Sequence, residues 1–306
     1  MDWTEELDKW AKEYLPDLKM RTDEAMSRHT SFRIGGPARR MAFPGSGEQM
    51  VLLADFAGKC GARPMVIGNG TNLLVPDEGL DRLVIDTSAG LNRLETGAEE
   101  NQVKAEGGVP LARLADFSHK QGLGGLEFAH GIPGTVGGAM CMNAGAYGGE
   151  MAHVVETVAL LDVESGVKTL SRREMEFGYR HSILTDHPDW VVLYAVFRLT
   201  PGDPAEIRAN MEALMAKRKA SQPLEWPSAG STFKRPAGHF AGTLIDQCGL
   251  KGLTVGGAQV SEKHAGFIIN RGGATFADVM GLITKVQERV LAATGVRLEP
   301  EVKIVR

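Results

Sequence analysis

Residues 122–150 read GLGGLEFAHGIPGTVGGAMCMNAGAYGGE, and ten of these 29 positions are glycine. Glycine is the costliest residue to order, and it serves where backbone must turn with positive φ or approach a neighbour closely. Backbone N–H groups left uncovered by side chains suit a pyrophosphate. A flexible linker would be polar throughout, whereas Phe128, Ile132, Val136, Met140, Met142 and Tyr147 call for a packed segment. A ligand cradle is therefore the expectation, and a side chain at Gly137 should block the approach of a cofactor. Other groups able to do chemistry lie elsewhere: Ser231 beside Gly230, Arg180 beside Tyr179, the pair Glu299 and Glu301, and the basic pair Lys234 and Arg235. Taken singly, each has a plain reading. A serine next to glycine is common in turns. A surface arginine pair contributes ~1 kcal/mol at most. Two acids on an edge strand are ordinarily solvated, and so is a basic pair.

Several chemistries are argued against. There is no GxxxxGK[ST], so a P-loop kinase or GTPase is excluded, and no GxGxxG follows a strand in the manner of a Rossmann dinucleotide domain. Gly68-Asn69-Gly70 follows an apolar strand but continues Thr71-Asn72-Leu73, which is not that fingerprint. No HExxH, GxSxG or zinc-type Cys/His spacing occurs, so no metal is expected. The formal net charge of −4 gives no global pull toward nucleic acid or an anionic membrane. The acidic, amphipathic start MDWTEELDKW is not a signal peptide, and no apolar stretch approaches the roughly 20 residues of a membrane span. Cys60, Cys141 and Cys248 are far apart, which suits free thiols in a reducing cytoplasm. Nothing points to an obligate protein partner.

The elements that must position these residues are legible in outline. Asp2 and Glu5 have capping-box spacing, and Trp3, Leu7, Trp10, Tyr14 and Leu15 form an apolar stripe, predicting a helix that ends near Pro16. Strands are expected at 39–43, 64–68, 83–88 and 103–108, with helices near 48–61 and 110–121. The strongest strand signals are VETVALLDV (155–163) and WVVLYAVFRL (190–199). Asp203-Pro204-Ala205-Glu206 opens a helix running to about 220, and Thr275 with Asp278 opens another running to about 294. LEPEVKIV (298–305) reads as a closing strand, whose alternation puts Glu299 and Glu301 on one face. The expected organisation is an N-terminal helix (1–20), a first domain (21–202) completed by strand 297–306, and a second domain (203–296).

Five segments, HTSFRIGGPA (29–38), IGNGTNLLVPD (67–77), the run at 122–150, FGYRHS (177–182) and SAGSTFKRP (228–236), stand in a definite order and spacing. Together they resemble the UDP-N-acetylenolpyruvoylglucosamine reductase family, from about Arg28 to Val305. The resemblance implies an α+β FAD-binding fold of the vanillyl-alcohol oxidase and para-cresol methylhydroxylase type, with a C-terminal α+β substrate domain. It implies noncovalent FAD, NADPH as hydride donor, and a UDP-sugar enolpyruvyl ether as substrate, reduced to UDP-N-acetylmuramate for peptidoglycan. Hydride reaches the methylene carbon, and the enolate that results needs a cation and a proton donor.

Matched residue by residue, the resemblance makes Ser231 the proton donor, Arg180 the cation at the enolate and carboxylate, and Glu301 the completing acid, with Glu299 as its competitor. Gly68, Asn69, Gly70, Thr71 and Asn72 match one loop at the flavin pyrophosphate. Gly131, Ile132, Pro133, Gly134, Thr135, Gly137 and Gly138 match a second. Arg33 lies in the first motif, in a cofactor-binding or a structural role, and Asn143, Ala144 and Gly145 close the long run near the isoalloxazine. Tyr179, Lys234 and Arg235 are candidates for the substrate. His130 and Cys141 depart from the usual pattern. The short stretch between Arg180 and Trp190 has no room for the tyrosine-bearing insertion of the larger variant, so the chain resembles the shorter subclass. The competing readings are an oxidase of the same flavin superfamily, which would often tether its flavin through His or Cys, and a catalytically silent binding module, which would lack Ser231, Arg180 or Glu301.

Overall fold

The computed structural model describes residues 2–305. Tight packing divides the chain into two compact units. The first comprises residues 1–22, 40–69 and 82–216, and the second comprises 23–39, 70–81 and 217–306.

The first unit begins with helix Trp3–Tyr14. Its apolar stripe is real: Leu7 and Ala11 are buried, and Trp10 stacks on Phe56 at 4.3 Å between ring centroids. Asp8 receives a forked bond from Arg40, with Nε to Oδ1 at 2.9 Å and Nη2 to Oδ2 at 2.6 Å. The expected capping box does not form. The Asp2 carboxylate makes no bond to the first-turn amides and accepts instead from Thr4 Oγ1 at 3.0 Å. Strand Met65–Ile67 pairs in parallel with residues 84–86. A five-stranded antiparallel sheet follows in the order Gly166–Ser171, Val155–Asp162, Val191–Arg198, Gln102–Glu106 and Leu94–Thr96. Its centre is the stretch with the strongest β signal, where Val192, Ala195 and Phe197 are buried.

The second unit is built on a four-stranded sheet of Ser228–Ser231, Phe267–Asn270, Ala258–Val260 and Thr254–Val255, in that order. Helices Ala241–Gln247 and Phe276–Thr294 supply Leu244, Ile245, Val279, Leu282, Ile283 and Val286 to its core. Phe32 joins that core with no exposed surface, and Asn270 Nδ2 donates to its carbonyl at 3.0 Å. Truncating so buried an aromatic ring to alanine costs about 3–5 kcal/mol.

The units do not follow the expected boundaries. Asp203 does cap the helix, accepting from Ala205 N at 2.9 Å, but helix Pro204–Ser221 buries Ile207 and Met211 in the core of the first unit. Position 203 therefore marks the start of a helix, and the packing boundary falls three turns later, after Ala216. The closing strand also differs. Only Lys303–Ile304 forms a ladder, parallel to Leu73–Leu74, and Leu298 and Val302 pack into the core of the second unit. Among the described residues no helix is long and apolar enough to cross a membrane.

Thr275 and Asp278 form the expected capping box, each side chain accepting from the other's amide at 3.0 Å. Gly257 N adds a third bond, to Asp278 Oδ2 at 3.1 Å. These backbone donors hold the Asp278 carboxyl below the usual carboxylate range. A depressed folded-state pKa stabilises fully above the unfolded value of about 4 and is lost as pH falls through the folded value. Asp278→Asn should therefore destabilise the chain at neutral pH. In urea melts at decreasing pH, the gap between the two proteins should close on the acid side of the ordinary carboxylate range. A gap that is constant with pH would assign the effect to shape alone.

Candidate active site

In the first unit the two glycine loops meet. Asn69 Nδ2 donates to Pro133 O at 3.2 Å, and a Cβ built on Gly68 would fall 2.1 Å from Thr135 Oγ1. Residues 134–137 are in turn held by 107–111. Leu111 N donates to Gly134 O at 3.0 Å, Val136 N to Val109 O at 2.9 Å and Gly137 N to Gly107 O at 2.7 Å. Thr135 opens the short helix Val136–Met142, so Gly131, Ile132, Pro133 and Gly134 form the approach to a helix start. Gly137 and Gly138 differ sharply. A Cβ on Gly137 would press on Gly107 O at 3.1 Å and Val192 Cβ at 3.6 Å, so this glycine exists for packing. Gly138 is exposed, and a Cβ there meets nothing nearer than Thr135 Oγ1 at 3.9 Å. The open backbone surface is at Gly138. With no charged side chain between Gly131 and Gly145, this surface fits an anionic pyrophosphate.

Asn143 ends the helix in a left-handed conformation, φ 41°. It is buried, and both ends of its amide are used: Nδ2 donates to Gly178 O at 3.0 Å and Oδ1 accepts from Ala152 N at 2.9 Å. Ala144 N bonds back to Ala139 O at 2.9 Å, and Gly145 pairs with Glu150 in a short hairpin. Asn143 thus ties the loop to the segment carrying Arg180. Ser182 strengthens the tie, its hydroxyl donating to Cys141 O at 3.0 Å. Between Gly178 and His181 the chain makes a tight turn closed by bonds of 3.0 and 3.3 Å. Tyr179 and Arg180 occupy its tip, Tyr179 exposed, Arg180 at φ 54° with its guanidinium 5.3 Å from the tyrosine ring centroid. A non-glycine residue in the left-handed region is costly and concentrates at functional positions.

The second unit brings Ser231, Asn72 and Glu301 to adjoining backbone. Ser231 ends its strand after a bulge in which Gly230 has φ 75°. The next residue, Thr232, donates its N–H to Gly266 O at 2.8 Å, and its carbonyl accepts from Glu301 N at 2.8 Å. Asn72 Nδ2 donates to Glu301 O at 3.0 Å, and Lys303 N to Asn72 O at 2.9 Å. The Asn72 side chain is therefore committed to Glu301 backbone, while Gly70 O accepts from Ser31 N at 3.2 Å and Thr71 lies between them, half-buried. The two acids flank one antiparallel bridge and differ in exposure. Pro300 bridges to Phe233, Glu299 is exposed and pairs with Lys234 Nζ at 3.6 Å, and Glu301 is half-buried. Arg235 lies over the exposed Phe240 ring at 3.9 Å. Arg33 is exposed in the left-handed region at the end of a Thr30–Arg33 turn.

Sequence reasoning missed His264. A Cβ on Gly266 would lie 3.3 Å from Ser231 Oγ and 3.0 Å from His264 Cε1, so glycine is what lets hydroxyl and ring share this corner. Gly266 N donates to His264 Nδ1 at 3.1 Å, which leaves the ring proton on Nε2. Burial pushes the imidazole pKa below its ordinary value, so the ring is neutral. A lone histidine in SEKHAGF carries no signal in sequence. Among the described residues no group of three His, Cys, Asp or Glu side chains could hold a metal ion.

Residues 222–305 match the C-terminal domain of UDP-N-acetylenolpyruvoylglucosamine reductase, and residues 38–171 match an FAD-binding domain. The UDP-N-acetylenolpyruvoylglucosamine reductase of Caldanaerobacter subterraneus subsp. tengcongensis is 49% identical over 96% of this chain and 96% of its own length. That of Pediococcus pentosaceus is 44% identical over 98% of each. The chain belongs to the UDP-N-acetylenolpyruvoylglucosamine reductase family. The crystal structure of the Thermus caldophilus enzyme superposes with a TM-score of 0.81 at 35% identity, covering 94% of this chain and all of that one. The fold is the α+β FAD-binding fold that the resemblance implied, and the protein is an FAD-dependent oxidoreductase.

The contrast between the two neighbouring glycines gives a test. Gly138→Leu should weaken FAD binding at least about tenfold, some 1.4 kcal/mol, while the flavin-free chain melts as before. Gly137→Val should instead lower the melting temperature of the flavin-free chain. Full FAD affinity in Gly138→Leu, measured by flavin fluorescence titration, would remove this backbone from the cradle.

Proposed function

We propose that this chain reduces UDP-N-acetylenolpyruvoylglucosamine to UDP-N-acetylmuramate at the expense of NADPH, with Ser231, Arg180 and Glu301 as its catalytic side chains. The observation that carries this reading is the Thr232 clamp, which fixes Ser231 and the backbone of Glu301 to the same peptide group. Bound FAD supplies the two-electron transfer between NADPH and the enolpyruvyl ether. The loops at Gly68–Asn69 and Gly131–Gly138 would hold its pyrophosphate against uncharged backbone.

The substrate's reactive part is CH₂=C(OR)–COO⁻. Once the methylene carbon has gained hydrogen and an electron pair, the neighbouring carbon carries negative charge delocalised into the carboxylate. A fixed cation lowers the energy of that charge. Arg180 serves here, held at a turn tip whose conformation is set by the 178–181 bonds. The charged carbon then takes a proton from Ser231 Oγ. A serine is a weak acid in water, but an enolate is basic enough to need only a donor in position. Glu301 completes this acid–base set. Lys234, Arg235 and Tyr179 are proposed contacts for the substrate, the first two for its diphosphate. The three unbridged cysteines suit a reducing compartment, and we place the enzyme in the cytoplasm.

The protein should purify yellow and release its flavin on denaturation. A colourless preparation that takes up no added FAD would contradict the flavin reading. Ser231→Ala should leave bleaching by NADPH intact, since that half-reaction needs no proton from the serine. Recolouring by UDP-N-acetylenolpyruvoylglucosamine should slow by roughly 10²–10⁴. Stopped-flow absorbance separates the two halves, and equal slowing of both would make Ser231 a residue of the fold or of flavin binding.

A further inference from the structure

The first unit holds a concavity built from none of the residues assigned above. It encloses about 130 Å³. Its floor is apolar, formed by Ala54, Val66, Ile85 and Val191, of which Ala54, Ile85 and Val191 are buried. Its charged lining is Arg63, Arg82 and Asp189. Arg82 is half-buried and anchored by its own donors: Nε to Arg63 O at 2.9 Å, and Nη2 to Pro64 O at 3.4 Å. Arg63 takes a left-handed backbone, φ 47°. That conformation is costly for arginine, yet this same residue supplies the carbonyl that fixes Arg82.

Two cations, the half-buried Arg82 and the exposed Arg63, thus line one cavity with an apolar floor. Neither guanidinium forms an ion pair among the described residues. Burial first and the like charge of Arg63 second make Arg82 easier to deprotonate, and no acid offsets them. A half-buried guanidinium beside a second one, fixed by a strained turn, is unfavourable by itself and favourable around an anion. We propose that this cavity binds a small oxyanion of the phosphate class, gripped by Arg63 and Arg82 above the apolar floor. A tetrahedral dianion can accept from both guanidinium groups at once, Arg82 offering the N–H groups that its carbonyl anchors leave over. The space exceeds the roughly 30 Å³ share of one water, which leaves room for a short organic body on the phosphate. Asp189, exposed on the same rim, opposes the anion and moderates its affinity.

The test uses the FAD-loaded enzyme saturated with UDP-N-acetylmuramate, so that the diphosphate site of the reaction is filled. Inorganic phosphate is titrated calorimetrically at constant ionic strength. Saturable binding is expected, weakened at least about tenfold by Arg63→Asn and by Arg82→Gln, and tightened by Asp189→Asn. Asparagine tolerates the left-handed backbone, so Arg63→Asn removes the charge without the fold, even if Arg82→Gln fails to fold. Absence of binding at tens of millimolar phosphate, binding that is indifferent to Arg63→Asn, or binding seen only when UDP-N-acetylmuramate is left out would each overturn the proposal.

Discussion

The carbonyl of Thr232 is the fixed point of the second unit. It accepts from Glu301 N at 2.8 Å while the Thr232 amide is held by Gly266 and its hydroxyl accepts from Ile268 N at 3.0 Å. One buried residue is therefore bonded to the neighbouring strand and to the closing segment of the chain. Ser231 cannot move without breaking that arrangement, and neither can the main chain at Glu301. A buried backbone group left unpaired costs about 1–3 kcal/mol, so this registration is enforced by the same bonds that hold the sheet. The chain brings together residues 70 positions apart in sequence through a peptide group rather than through a side-chain contact.

The first unit uses a different device. Its glycine loops are fixed by carbonyls and amides of 107–111, and the loop's far end is fixed by the Asn143 amide. The tight turn bearing Arg180 is then attached through Gly178 and Ser182. Position is passed along main chain, with little dependence on long flexible side chains. Such a scaffold gives up conformational freedom before any ligand arrives, which reduces what binding must later cost.

Much of this was readable in the residues. Strong periodicity located the long elements: helix Phe276–Thr294 begins at its Thr275/Asp278 box, and strand Val191–Arg198 lies where β-branched residues are densest. The glycine run announced a close-packed segment. It did not reveal which glycine faces outward, because Gly137 and Gly138 are identical in sequence terms and only the position of Gly107 separates them. The same limit explains the expected boundary between 202 and 203, where Pro201-Gly202 precedes the helix. A proline–glycine pair reports a local turn, whereas membership in a unit is decided by what Ile207 and Met211 bury against. The pairing of Glu299 and Glu301 with the Ser231 segment is short, because the antiparallel bridge at Pro300 extends only to the bonds of its two neighbours. His264 had no pattern to betray it, since its neighbour Ser231 is 33 positions away.

Asn143 carries a consequence for how long a molecule of this enzyme lasts. Asparagine side chains hydrolyse slowly to aspartate over a protein's lifetime. At this position the change would replace the donor facing Gly178 O with a second oxygen, turning an attachment into a repulsion between lone pairs. The loop and the Arg180 turn would then part at the joint that registers them. Burial to 2% exposure keeps water from the amide, and the two bonds hold it away from its own backbone. The residue that sets the geometry is thus also sheltered from the chemistry that would age it.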